Sequence, residues 1–158
     1  MSVGAGSLIE TFLISLQRWR GVASHFNEAT SFDAAVFAAM GVAISLVAVP
    51  TVVLAARSAR RLQTLPSRSL AIRVGLALLV LGQVVVGGFM IAAGAQGAGA
   101  FKAPHALVLH GLQVLLVADW LLGRTGLSQR LRTRGVAAVA ITWVVLVAVT
   151  LAWAWVWA

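Results

Sequence analysis

Four long apolar runs separated by short polar segments dominate the chain, at about 33–56, 69–94, 104–123 and 135–157. Each approaches or exceeds the ~20 residues a helix needs to cross ~30 Å of hydrocarbon. Ahead of them, SLIETFLISLQRWR (7–20) places Leu8, Ile9, Phe12, Leu13, Leu16 and Trp19 at helical spacing, with Glu10, Gln17, Arg18 and Arg20 between them. This pattern predicts an amphipathic helix in the membrane interface, with Trp19 at headgroup depth. No basic segment precedes its apolar part and Glu10 interrupts it, unlike a signal peptide. The predicted fold is all-α: one integral membrane domain over 1–158, a four-helix bundle with an interfacial N-terminal helix, residues 1–32 forming an outer segment.

The connecting segments carry the punctuation this fold needs. GVASHFNEATSFD (21–33) is polar and turn-rich. In it Thr30 or Ser31 suits a helix N-cap, and Asp33 suits the positive end of the helix dipole. Pro50 falls inside the first span and removes a backbone donor there. Gly82, Gly87 and Gly88 in the second span permit close helix contact. Pro104 fits the first turn of the third span, and Trp153, Trp155 and Trp157 look like an aromatic anchor closing the fourth.

Composition narrows the class. Hydrophobic residues make up 61% of the 158 and charged residues 10%, too apolar for a soluble domain. The absence of cysteine and tyrosine excludes disulfides, thiolate chemistry and phenol chemistry. A net charge of +8 would fit nucleic acid, but eight of the eleven arginines sit in two short loops, 57–68 and 124–134, flanking the spans. That placement reads as topology and contact with anionic lipid, not as a nucleic-acid surface. It predicts a multi-pass protein of the cell membrane with the arginine-rich loops cytoplasmic and both termini outside. The first 33 residues agree, with three acids against two arginines.

Candidate chemistry concentrates in KAPHALVLHGLQVLLVADWLL (102–122), an apolar run holding His105, His110, Gln113 and Asp119. Polar groups in hydrocarbon require partners. The expected topology brings His25 and Asn27 to the same outer side as His105 and His110. The latter two lie about 140° apart on a helix and are poor neighbouring ligands for one metal ion. His110 with Gln113 and Gln83 is expected to line a small polar pocket in the outer half of the bundle. Asp119, near the inner end, is expected to form a structural ion pair with Arg73, or with Arg124 at the rim.

No serine or threonine stands in a nucleophile setting, so no catalytic residue is assigned. The only lysine, Lys102, is in a loop and does not suit a retinal Schiff base. The candidate cofactor site is therefore His25, Asn27, His105, His110, Gln113 and Gln83, suited to haem b, a quinone or a lipid head in contact with the membrane lipids. Haem would want histidines on two helices at matching depth. The alternatives are a structural accessory subunit of a larger membrane complex or homo-oligomer, and a small transporter. Two stretches, QRWRGVASHFNEATSFDAAVFAAMG (17–41) and PHALVLHGLQVLLVADWLL (104–122), resemble recurring pieces of uncharacterised bacterial multi-pass membrane proteins. The resemblance implies that the SHFN segment and the His/Gln helix belong together, and implies no activity.

Overall fold

A computed structural model describes residues 2–25, 27–61 and 64–157, and the described chain is helical without strands. The elements are α1 (Ser2–Trp19), α2 (Ser31–Arg61), α3 (Pro66–Gly97), a single 3-10 turn (Ala98–Phe101), α4 (Lys102–Gly123) and α5 (Gln129–Trp157). Helices α2 to α5 are long and apolar enough to cross a membrane, which makes this a small membrane protein built on a four-helix bundle. The helices outrun the apolar runs because their bounding residues are helical too. Pro66, for example, opens α3, where its missing N–H has no partner to lose.

The core is formed by α3, α4 and α5, which all pack on one another. Two buried clusters fill it. Ala71, Leu115, Val136 and Ala140 lie toward the arginine-rich end; Val86, Phe101, Val108 and Ala154 lie toward the other. Glycines set the α3–α4 distance. A Cβ on Gly82 would come to 2.4 Å from the Val108 side chain, and one on Gly75 to 2.6 Å from the Leu112 Cα. Gly111 gives room to Trp143, whose Nε1 donates to the Leu107 carbonyl at 3.0 Å. Gly87 and Gly88, expected to do the same work as Gly82, face open space instead. The turn from α3 into α4 begins where Gly94 takes a φ of 64°, a left-handed value that glycine adopts without strain.

The helices α1 and α2 form a hairpin outside this core. Among the described residues α1 packs on α2 alone, and α2 on α1 and α3. Gly6 lies against Ala43 and Val47, and Gln17 donates to Asp33 at 3.0 Å. Between those contacts α1 runs antiparallel along α2 for about 16 Å. The amphipathic helix therefore stands beside α2 rather than flat across the rim, and carries the first residues toward the level of Val47. Its composition permits this. Gly6 and Ala43 let the backbones approach, and the Thr11 and Ser15 hydroxyls donate to the Ser7 and Thr11 carbonyls of their own helix, each at 2.8 Å.

Candidate functional site

At the end of the bundle opposite the arginine-rich loops, the segment between α1 and α2 is held by its own polar groups. The Thr30 hydroxyl accepts from the Asp33 N–H at 3.1 Å and donates to the Asp33 carboxylate at 2.7 Å, a reciprocal helix cap. Asp33, almost fully buried, also accepts from Gln17 and Arg20. Arg20 donates to Gln17 as well and lies over the Phe32 ring, 4.6 Å from its centroid. The Asn27 side chain accepts from the Ala29 N–H at 3.1 Å, closing a turn. Asn27 thus serves the loop. Asp33→Ala is expected to lower stability by about 1–2 kcal/mol, the cap and a partly exposed ion pair together. Hydrogen exchange over residues 2–30 should speed up far more than in α3–α5.

His105 sits in the first turns of α4, half-buried, and its Nδ1 is buried with no hydrogen-bond partner among the described residues. Gln83 on α3 has the same defect at Nε2. The packing of Gly82 on Val108 and of Gly111 on Leu78 fixes the antiparallel register, which puts Gln83 within one turn of His105. Gln83 is about 60° around α3 from Val86, and His105 about 60° around α4 from Val108. In an antiparallel pair, equal rotations of the same sign point to the same side of the seam. Glu10 of α1 and His25 of the loop are close enough for their charges to act on the His105 ring, although neither α1 nor α2 packs on α4. The hairpin and the core thus approach at this level without closing on each other. His25 Nδ1 itself lies 2.9 Å from the Ser24 hydroxyl.

His110 and Gln113 are not part of this group. The buried face of α4 is Pro104, Val108, Gly111, Leu115 and Asp119, and both polar residues lie on the exposed face. The expected pocket of His110, Gln113 and Gln83 does not form within one chain. With its amide turned to donate, Gln113 Nε2 reaches the Leu109 carbonyl at 2.9 Å and the His110 carbonyl at 3.1 Å.

Asp119 is the centre of a second clasp, at the arginine-rich end. Its Oδ1 accepts from Arg132 Nε at 2.9 Å, and its Oδ2 from Arg132 Nη2 at 2.8 Å and from Arg68 Nε at 3.3 Å. Ser67 is fully buried beside it and accepts from Gln129 at 2.9 Å. The pair expected with Arg73 is replaced, because the facing of Gly75 and Leu112 brings Arg68 level with Asp119. Arg73 lies five residues further along, about 7–8 Å away and turned by about 140°. Arg124 instead covers the Trp120 ring at 3.8 Å.

Of the six residues expected to form one site, Gln83 and His105 lie on one side of the α3–α4 seam, Asn27 closes a turn between α1 and α2, and His110 and Gln113 lie on the exposed face of α4. Glu10 left one sequence signal, an acid in the apolar part of its helix. Among the described residues, no group of three or more His, Asp or Glu side chains is placed to hold a metal ion. No protein-family model matches the chain, and no curated protein and no solved structure is detectably similar to it.

Proposed function

We propose that this membrane protein binds the polar head of a small amphipathic molecule, a quinone or a lipid, at the α3–α4 seam on the side of Gln83 and His105. The observation that carries the reading is the pair of buried, unpartnered polar atoms, Gln83 Nε2 and His105 Nδ1, at one level and on one side of the α3–α4 seam. A buried polar atom left without a partner costs about 1–3 kcal/mol, and an oxygen-bearing head entering from the bilayer relieves it. Gln83 Nε2 is a donor suited to a carbonyl or phosphate oxygen. His105 offers a donor or an acceptor according to tautomer. Glu10 and His25 are then the groups that exchange protons with the head. Haem b is served less well, since His25 is on a loop and His110 faces outward.

The grouping of Arg68, Arg124, Arg130, Arg132 and Arg134 at one end supports a cytoplasmic location for that end. The site then lies in the outer half of the membrane, with the C-terminus outside and the first residues drawn inward by α1.

The test is the content of protein purified in mild detergent. Solvent extraction assays quinone, and native mass spectrometry assays retained lipid. One of the two should be present at about one per chain, and Gln83→Leu or His105→Leu should lower its retention about tenfold. Helicity and chromatographic behaviour should not change, because leucine fills either position without adding a polar group. Absence of both molecules from the parent, or equal retention in both variants, would sink the reading.

A further inference from the structure

The exposed face of α4 carries a polar pair where a lipid-facing helix should carry none. His110 lies about 12 Å along α4 from its start and Gln113 about 16 Å, in a helix about 33 Å long, so both fall near the middle of the membrane. Both are exposed, and among the described residues no hydrogen bond to the His110 ring is present. With Gln113 Nε2 spent on its own helix, the exposed groups include the imidazole N–H, a donor, and Gln113 Oε1, an acceptor. Leaving them in hydrocarbon is unfavourable.

We infer that this face of α4 docks a second copy of the same chain. Three observations select that occupant. The outward-facing groups are a donor and an acceptor three residues apart, so two parallel α4 helices satisfy each other reciprocally, His110 of each donating to Gln113 of the other. Two copies inserted the same way bring these groups to the same depth, and a two-fold axis along the membrane normal makes the contact self-complementary. The pair also lies on a stripe spaced as a coiled-coil seam: Ala103, Ala106, His110, Gln113, Val117 and Leu121, at intervals of three, four, three, four and four. All six are exposed. Alanines at one end let the backbones approach closely, as membrane helix pairs require. This dimer does not rest on the ligand site, which uses other side chains at another seam.

The chain has no cysteine, so single-cysteine cross-linking in liposomes reports on one position at a time. Ala106→Cys and Val117→Cys should give oxidised dimers in high yield. Val84→Cys on α3 and Ile141→Cys on α5, both more exposed than Val117, should not. In energy-transfer titrations, His110→Leu with Gln113→Leu should raise the dimer dissociation constant about tenfold, two interhelical hydrogen bonds being lost. Two leucines on an exposed face leave the fold intact. If the purified protein stays monomeric in liposomes, a different occupant covers the face and the dimer is refuted. Cross-linking at positions 106 and 117 no stronger than at 84 and 141, or an undiminished double variant, would refute it equally.

Discussion

Asp119→Ala is expected to destabilise the bundle by about 3–5 kcal/mol, the range for breaking a buried ion pair from one side. The carboxylate is 1% exposed, and both of its oxygens are engaged by Arg132, whose side chain is 13% exposed. Truncation leaves that guanidinium among α3, α4 and α5 with no acceptor for a charge it cannot lose. Arg68 is a lesser partner. At 48% exposure it keeps its solvation, and Arg68→Ala should cost under about 1 kcal/mol. Removing both buried partners together, Asp119→Leu with Arg132→Met, should recover much of the loss, because the orphaned charge goes with them. Equilibrium unfolding in mixed micelles measures all four proteins. An Asp119→Ala variant within about 1 kcal/mol of the parent would show that the clasp does not hold the three helices together.

Gly75→Leu should be the most damaging apolar substitution, at about 3 kcal/mol, the upper part of the range for overpacking. A Cβ on Gly75 meets the Leu112 backbone at 2.6 Å, and backbone cannot step aside as a side-chain tip does. The helices must separate, and the contacts on both sides of Gly75 loosen with them. Gly82→Leu collides with the Val108 side chain, which also belongs to a buried cluster, so its loss should be of similar kind. Gly87→Leu and Gly88→Leu are the controls. Nothing lies within 4 Å of either added Cβ, and both should stay within about 0.5 kcal/mol of the parent. Unfolding measurements that rank Gly87 beside Gly75 would mean that α3 and α4 are packed in another register.

The four spans were legible because each is an apolar run of membrane length with arginine or proline beside at least one end. Helix faces were not, and the reason is physical. In a soluble helix the polar stripe marks the outside, whereas in a membrane the inner and outer faces are equally apolar. Val108, buried, and Val117, exposed, look alike in sequence, and nothing in the sequence shows that His110 lies on the exposed face of α4. Register was hidden for the same reason. Arg68 and Arg73 are equal candidates for Asp119 until the Gly75–Leu112 contact chooses between them. Arg132, the principal partner, sits in a run with Arg130 and Arg134 that offers no ground for choosing it. The placement of His25 and His105 at the same end needed only the order of the spans along the chain.

Among the described residues, the hairpin of α1 and α2 leans on the rest of the molecule through one helix pair, α2 on α3. A ribosome makes that hairpin before α3, α4 and α5. Until α3 follows, α1 is the described helix that α2 can pack on. The Asp33 clasp, whose partners Gln17, Arg20 and Thr30 all precede it in sequence, is complete before any of the core exists. The hairpin thus carries its own lock, made before the core that it leans on.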